Sequence, residues 1–456
     1  MAEKGNNKII ALLFTGVLMG ALDISIVGPA LPAIQSTIAI QTRLLGWIFS
    51  IYVLFNLTGI SLFAKLSDNF GRRNIYVLSL LIFALGSLIV SVSDNFTILI
   101  IGRAVQGFGA SGIFPVASAV VGDLFPVEKR GRILGLLGAV FGFAFIIGPI
   151  LAGTLLKFFS WHALFLINIP IAAVLVFYSI KLLPNIRTSK DSKIDYPGII
   201  LMALMLGSFA YAVNNLESNG FLASLKQWKV LPFLIGSVVF LVLLFFTEHN
   251  KPNAVVKTHL FKNRQIRIVG LIAIVSGAMQ SVFVFIPDFT VKVFNVDSSQ
   301  ASFMLVPIVL ASAVGSPLFG RLIDKVGSKW VILLGLLLSA AGFYLLYFFK
   351  PDKTIFYAAG ALIGLGLSIL AGSSLRYIML NEVGKTDRAI TQGMLSIFTS
   401  LGQLTGAAVI GALIASVGEQ GFNRSFHYLA LLIVVAFVFA LGLKRHKKEL
   451  ATKAEE

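Results

Sequence analysis

An aspartate lies within the first long apolar stretch of this 456-residue chain. Asp23 has hydrophobic residues on both sides and no basic residue near it in sequence. A carboxylate inside a membrane costs several kcal/mol unless it is protonated, paired or in contact with water. Such a group is usually kept for function, so Asp23 is a candidate for binding a proton or a cation.

Arg103 is the second candidate, because it lies inside an apolar segment while the other Lys and Arg residues fall in loops or at segment ends. Gln106 follows about one helical turn later, so both side chains can face one cavity. At 1.5 Å per residue, Asp23 lies roughly 12 Å and Arg103 roughly 9 Å from the outer ends of their segments. The alternative is an arginine that extends to the membrane surface.

The composition identifies the class of protein that must position these charges. Hydrophobic residues make up 57% of the chain and charged residues only 12%, against about a quarter in soluble domains. The apolar runs have the length of membrane-spanning helices, and alternating strands of a barrel are absent. The chain has no cysteine, which excludes disulfides and thiolate metal sites. Its net charge of +17 is distributed over alternate loops, which indicates a membrane protein rather than nucleic-acid binding.

Fourteen segments are predicted to span the membrane as helices. Basic residues collect in alternate loops, 28 on the side of both termini and 8 on the opposite side, so both termini are predicted to be cytoplasmic. The first segment has no small-residue cleavage site and is predicted to be retained. The segments cover 9–31, 44–64, 74–93, 97–122, 133–155, 163–183, 197–216, 230–247, 267–290, 299–319, 330–349, 354–378, 391–417 and 426–443.

The chain contains an internal repeat. The loop at 65–73 recurs at 321–329, an offset of 256, and a pattern of small residues in the fifth segment recurs at an offset of 258. Equivalent positions lie eight segments apart, so two helices are inserted between two six-helix halves. The predicted domains are residues 1–185, 186–265 and 266–456. At the second offset Asp23 corresponds to Ser281 and Arg103 to Ala361, so neither charge is duplicated.

Charged residues at the predicted cytoplasmic helix ends form a second candidate site. Glycine permits a tight turn in each copy of the repeated loop, and the charges can pair with neighbouring helices. The alternative is a basic loop that only anchors the chain. The residues of this predicted cytoplasmic charge network are Asp68, Gly71, Arg72, Arg73, Asp123, Arg132, Asp324 and Gly327.

The fifth segment carries small residues and a proline on a face suited to close helix contact. Gly148 and Gly153 let a neighbouring helix approach, and Pro149 bends the segment. Generic close packing is the alternative explanation of this pattern.

Several of these motifs resemble those of the major facilitator superfamily. The 65–73 loop resembles the superfamily's loop between helices two and three, and Arg103-Ala-Val-Gln106-Gly107 resembles its Arg-x-x-Gln-Gly motif, which is associated with proton coupling. The pattern from Gly135 to Gly153 resembles the helix-five motif of its antiporters. The stretches 21–32 and 161–170 resemble those of the fourteen-helix drug:proton antiporters.

The resemblance implies an all-α membrane protein of the major facilitator fold, with fourteen helices arranged as six plus two plus six. It implies export of lipophilic, often cationic small molecules from a prokaryotic cell membrane, driven by the proton gradient without a cofactor. Because both helices line the central cavity in that superfamily, we expect Asp23 and Arg103 to interact directly or through water. Asp23 would accept the proton, and Arg103 would adjust the proton affinity of Asp23. The alternative is that the two residues form a purely structural ion pair.

Polar residues within other segments are weaker candidates for the substrate cavity: Asn56, Gln106, Gln280, Asp288, Gln392 and Gln403. For Asp288 we favour a solvated residue near the outer end of its helix, and substrate contact near the exit is the alternative. We expect a monomer with lipids, protons and small molecules as partners, and no metal, nucleic acid or enzymatic activity. The alternatives are an antiporter dedicated to one antibiotic class or metabolite and a membrane scaffold or sensor without transport.

Overall fold

The structure is a computed structural model that describes residues 2–187, 195–216, 224–249, 251, 258–349, 352–383 and 388–444. Every regular element within these ranges is helical. The α-helices are α1 (Ala2–Ile38), α2 (Thr42–Phe70), α3 (Arg72–Ser91), α4 (Phe96–Leu124), α5 (Val127–Phe158), α6 (Ala163–Leu166), α7 (Asn168–Leu182), α8 (Tyr196–Asn214), α9 (Leu231–Glu248), α10 (Arg264–Phe294), α11 (Ser298–Met304), α12 (Val306–Val326), α13 (Ser328–Phe348), α14 (Lys353–Leu370), α15 (Ser373–Asn381), α16 (Arg388–Val417) and α17 (Gln420–Ala440). A short 3-10 helix covers Thr258–Lys262.

The described residues contain thirteen helical stretches that are long and apolar enough to cross a membrane. The fourteenth predicted segment is α5, whose described apolar part is Phe143–Phe158. Each predicted segment therefore corresponds to helical structure, and the prediction of an all-α membrane protein is confirmed.

Three predicted segments are each divided into two helices. Two of these breaks lie just before prolines: α6 ends at Leu166 before Pro170, and α11 ends at Met304 before Pro307. Proline has no backbone N–H, so the carbonyl four residues earlier loses its helical hydrogen bond. The third break, between α14 and α15, contains Gly372.

The chain divides into two compact units, which are described separately. The first comprises Met1–Gly207 and Ser298–Phe303, and the second comprises Ser208–Asp297 and Met304–Glu456. The boundary after Gly207 falls inside α8, the first of the two helices predicted to be inserted. The division of the chain at residues 185 and 265 stays a prediction.

The same helix pairs pack in both units. In the first unit α4 packs against α2 and α3, while α1 packs against α5. In the second unit α14 packs against α12 and α13, while α10 packs against α16. These pairs are equivalent under the internal repeat, so both units contain the same packing scheme.

Glycines bring the helices of each unit close together at equivalent positions. A side chain at Gly107 would contact the carbonyl oxygen of Tyr52, and one at Gly364 would contact that of Ile308. In both places the missing Cβ atom is what allows backbone to approach backbone. The helix pairs are therefore in register at offsets of 256 and 257.

This register corrects the correspondence predicted for the two buried charges. Ser25 lies against Gly148, and Ser281 lies against Gly406, so α1 and α10 correspond at an offset of 256. Asp23 therefore corresponds to Met279 rather than Ser281, and Arg103 corresponds to Gly360 rather than Ala361. The offset of 258 belongs to the fifth helix and does not extend to α1 or α4.

We expect Gly109→Ala to destabilise the protein, because a Cβ atom there would contact the backbone of Phe83 in α3. Overpacking of this kind costs about 1–3 kcal/mol. Gly122→Ala is the matched control on the same helix, since nothing lies within 4 Å of its added carbon. Thermal unfolding in detergent should show a lower Tm for Gly109→Ala and an unchanged or higher Tm for Gly122→Ala. Equal Tm values for the two variants would contradict the close approach of α4 and α3.

Candidate functional site

Asp23 in α1 and Arg103 in α4 form a direct ion pair in the interior of the first unit. The Arg103 Nη1 atom lies 2.6 Å from Asp23 Oδ2, and neither side chain has any exposed surface. The expected interaction between the two residues is therefore present. Because the guanidinium is fully buried, the alternative of an arginine that reaches the membrane surface is wrong.

Two side-chain amides complete the coordination of the Asp23 carboxylate, and a hydroxyl accepts a further hydrogen bond from each amide. Gln106 Nε2 donates to Asp23 Oδ1 at 2.6 Å and to Ser87 Oγ at 2.8 Å. Asn168 Nδ2 donates to the same two oxygens at 3.2 and 3.3 Å. Gln106 Oε1 in turn accepts a hydrogen bond from Arg103 Nη1 at 2.6 Å. Both carboxylate oxygens are paired, as a buried charge requires; we call these five residues the Asp23 cluster.

Aromatic rings and a backbone carbonyl hold the other side of the guanidinium. Arg103 Nε donates to the carbonyl oxygen of Ile48 at 3.2 Å. Its Cζ atom lies 4.3 Å from the ring centroid of Tyr52 and 5.7 Å from that of Phe165. The negative faces of these rings favour a cation. The arginine is therefore fixed between α1, α2 and the α6 segment.

The close packing of α4 explains why its polar residues reach their partners. A side chain at Gly86 in α3 would contact the backbone of Gln106. Gly107, next to Gln106, makes the equivalent approach to α2. The glycines thus place Gln106 within hydrogen-bond distance of Ser87 and bring Arg103 over Tyr52.

Sequence reasoning did not identify Asn168, Ser87 or Tyr52 as parts of the site. Asn168 gave a usable signal, because it is an amide at the start of an apolar helix, within the stretch 161–170. Ser87 and Tyr52 gave none, since both residue types are common in membrane helices and their importance depends on which helices pack together.

The equivalent region of the second unit is apolar. Met279, Gly360, Ile363 and Phe343 occupy the positions that correspond to Asp23, Arg103, Gln106 and Ser87. A small apolar cavity lies nearby in that unit, lined by Val282, Phe285, Ile286, Phe289, Ile410, Phe422, Ser425 and Phe426. Two units with the same helix packing therefore differ in the chemistry of this region.

The remaining polar cavity candidates each have a hydrogen-bond partner within their own unit. Gln403 Nε2 donates to Gln280 Oε1 at 3.2 Å, which joins α16 to α10. Gln392 donates to the carbonyl of Arg376 at 3.3 Å. Asn56 donates to the carbonyl of Gly107 at 3.4 Å in the other unit. Gln106 belongs to the Asp23 cluster, and substrate contact by any of these residues stays a prediction.

Asp288 lies in the interior of the second unit rather than at a solvated helix end. It is 1% exposed, and its Oδ2 atom lies 2.8 Å from Lys292 Nζ one turn further along α10. The favoured interpretation of Asp288 as a solvated residue at a helix end is therefore wrong.

The 65–73 loop forms a compact charge cluster. Arg72 Nη1 lies 2.6 Å from Asp68 and donates to Ser67 Oγ, while its Nε atom donates to Asp123 at 2.8 Å. Asp123 in α4 is thus paired with Arg72 in α3, as expected for a charge network. The alternative of a basic loop that only anchors the chain does not account for these contacts.

The turn geometry of this loop is duplicated. Gly71 has φ +97° and Gly327 has φ +87°, a region that favours glycine. The Gly71 and Gly327 amides each donate to the carbonyl four residues earlier. Arg73 is half-buried, and the side chains of Arg132 and Asp324 lie outside the described residues.

The glycines of α5 make the close contacts expected from their pattern. Gly148 lies against Ser25, whose hydroxyl donates to the carbonyl of Ala144 at 2.9 Å. The carbonyl of Gly153 accepts a hydrogen bond from Ser299 at 2.6 Å, within the first unit. Pro149 lies inside α5, between these two contacts.

These features define the class of protein: an all-helical multi-pass membrane protein with duplicated packing and a buried charge cluster in its first unit. In the described residues no group of three or more His, Cys, Asp or Glu side chains could hold a metal ion. The model of the Major Facilitator Superfamily matches residues 13–311 and 268–456, and the chain belongs to this family. It is therefore a multi-pass transporter of the plasma membrane and not an enzyme.

The chain is similar in sequence over most of its length to several bacterial proteins. It is 31% identical to the uncharacterized MFS-type transporter YfiU of Bacillus subtilis (strain 168), over 92% of this chain and 82% of the relative. It is 28% identical to Multidrug resistance protein 3 of the same organism, over 93% of this chain and 83% of that protein. It is 29% identical to the riboflavin transporter RibZ of Clostridioides difficile (strain 630), over 80% of this chain and 78% of that protein.

Solved structures show the same fold. The crystal structure of the nucleoside transporter NupG aligns with a TM-score of 0.67 at 16% sequence identity, covering 96% of this chain and all of that one. At this identity the similarity concerns the fold alone.

We expect Arg103→Met to destabilise the protein, because it leaves the buried Asp23 carboxylate without its cation. Removal of one partner of a buried ion pair costs about 3–5 kcal/mol. The double variant Asp23→Asn with Arg103→Met carries no unpaired charge and should regain part of this loss. Thermal unfolding in detergent at neutral pH measures the difference. A double variant no more stable than Arg103→Met would mean that charge pairing does not hold the cluster together.

Proposed function

We propose that the chain is a proton-coupled exporter of lipophilic, often cationic small molecules that works by alternating access. The observation that carries the proposal is the Asp23 cluster, a buried ion pair in one unit whose counterpart in the other unit is apolar. A pair required only for folding should be needed in both units, because both use the same helix packing. Charges that break the repeat are better explained by transport chemistry.

The carboxylate of Asp23 is the proposed proton acceptor. Open to the outside, Asp23 takes a proton, which removes its negative charge and promotes release of a cationic substrate. Open to the cytoplasm, it loses the proton and attracts substrate. Exchange follows from competition of proton and cation for one carboxylate, and the proton gradient supplies the energy without a cofactor.

The neighbours of Asp23 suit this exchange. Arg103 stabilises the charged carboxylate when the two are close, and Gln106 and Asn168 hold one of its oxygens from two different helices. Movement of α4 or α7 relative to α1 changes the number of donors at Asp23. Proton affinity is thereby linked to helix position, which an antiporter requires.

The charged loop between α2 and α3 is the proposed cytoplasmic gate. Arg72 joins Asp68 and Asp123 at helix ends, where a change in helix position would break or form the pairs. This assignment places both termini in the cytoplasm, as the distribution of basic residues predicts. We propose that the transporter acts as a monomer.

A dedicated exporter for one metabolite is the second candidate. It is supported by the similarity to a relative named as a riboflavin transporter, which is about as close as the relative named for multidrug resistance. The same proton site would serve either substrate range. A scaffold without transport is disfavoured, because it has no use for an intact buried ion pair.

We expect Asp23→Asn to abolish proton-coupled export, because an amide cannot exchange a proton in this way. Proteoliposomes with an internal pH reporter should show proton movement when a lipophilic cation is added to wild type and none with Asp23→Asn. Asp352→Asn is the matched control, since Asp352 is an exposed acid that caps α14 and Asn caps a helix equally well. Thermal unfolding verifies that both variants are folded.

The outcomes of this assay separate the candidates. Wild-type responses to many lipophilic cations support a multidrug antiporter, and a response to one compound class supports a dedicated exporter. Full drug-driven proton movement with Asp23→Asn would exclude Asp23 as the proton site. No response to any compound would favour the scaffold.

A further inference from the structure

The second unit contains an ion pair whose acid is buried. Asp288 and Lys292 are one turn apart on α10, with Oδ2 and Nζ separated by 2.8 Å. The Asp288 side chain is 2% exposed and that of Lys292 is 30% exposed. The acid is thus enclosed by protein, while the cation extends toward the surface.

The repeat shows that the fold does not require this pair. At the offset of 256 that relates α10 to α1, Asp288 corresponds to Pro32 and Lys292 to Ser36. The first unit therefore builds the same helix with neutral residues. Burial of an ion pair is often no better for stability than apolar packing, so its presence here calls for a reason other than folding.

Aromatic rings form a wall beside the ammonium group. Lys292 Nζ lies 5.8 Å from the ring centroid of Phe422, which packs edge-on against Phe289 with centroids 5.3 Å apart. Phe426 packs against Phe289 at 5.5 Å. These three rings also line the small apolar cavity of the second unit. A carboxylate and an aromatic face therefore lie beside a single positive charge, and the same aromatic ring lines the apolar cavity.

We propose that Asp288 and Phe422 form a binding subsite for lipophilic organic cations and that Lys292 occupies it as a built-in competitor. An incoming cation takes the place of the ammonium group at Asp288, and its apolar body packs against the face of Phe422. The displaced Lys292 moves into solvent, which its flexible stem and partial exposure permit. The aromatic faces and the carboxylate both select for positive charge.

This inference rests on the proposed function, because it assumes that lipophilic cations are substrates, but it concerns a site separate from the Asp23 cluster. It predicts opposite effects for the two members of the pair. Lys292→Met removes the competitor while keeping a side chain of similar length. Asp288→Asn removes the anchoring charge while keeping the shape.

Equilibrium binding of radiolabelled tetraphenylphosphonium to the purified full-length protein in lipid nanodiscs tests the proposal. We expect Lys292→Met to bind about tenfold more tightly than wild type and Asp288→Asn about tenfold more weakly. A factor of about ten corresponds to the gain or loss of one charged contact between the protein and the bound cation. Asp352→Asn should bind as wild type does. The double variant Asp288→Asn with Lys292→Met leaves no unpaired charge and should bind as weakly as Asp288→Asn. It tests the proposal even if the single variant Lys292→Met does not fold.

Other results would overturn the proposal. Weaker binding by both single variants, in proportion to a loss of thermal stability, would make the pair structural only. Unchanged binding in the double variant, or no binding by wild type, would exclude a subsite at Asp288. Proton-coupled export by wild type with unchanged binding in all variants would reject this subsite and leave the proposed function standing. The expected binding pattern without any proton movement would reject proton coupling and keep the subsite.

Discussion

The central constraint on this protein is the burial of one carboxylate and one guanidinium in the same apolar bundle. Such a pair is tolerated when further hydrogen bonds satisfy the buried carboxylate. Gln106 and Asn168 satisfy this requirement at Asp23 from two different helices, and both amides also donate to Ser87 in a third. Four helices, α1, α3, α4 and α7, must therefore keep their relative positions to within a hydrogen-bond distance.

The glycines of α3 and α4 make that precision possible. Gly86, Gly107 and Gly109 each lie where an added Cβ atom would contact the backbone of a neighbouring helix. Backbone contact leaves little freedom for the helices to slide, and so it fixes where Arg103 and Gln106 project. The sequence pattern of small residues is thus the cause of the geometry of the charge cluster.

Much of this organisation could be predicted from the sequence, because hydropathy and charge distribution depend on local composition. The fourteen helical segments and the contact between Asp23 and Arg103 follow from segment length, depth and family resemblance. The register between the two halves could not be obtained from one offset, since the fifth helices and the first helices differ by two residues. The helix break before Asn168 needed the effect of Pro170 on the carbonyl of Leu166. The contribution of Ser87 depends on tertiary contacts alone.

The polar cavity candidates show where the sequence signal ends. A glutamine in an apolar segment predicts a buried contact but not its partner: Gln106 joins the charge cluster, whereas Gln403 bonds to Gln280 and Gln392 to a backbone carbonyl. The partner depends on the rotation of each helix about its axis, which hydropathy does not specify when a helix is apolar on all sides.

The repeat finally separates the residues that build the fold from those that carry its chemistry. The turn glycines Gly71 and Gly327 share a positive φ angle, yet the residues that follow them differ in charge. Arg72 pairs with two carboxylates, whereas its counterpart at the offset of 256 is the neutral Ser328. Backbone conformation and helix contact are kept in both units because each unit must close its own bundle. Charge is free to differ between the two units, because neither the turn geometry nor the helix contacts depend on it.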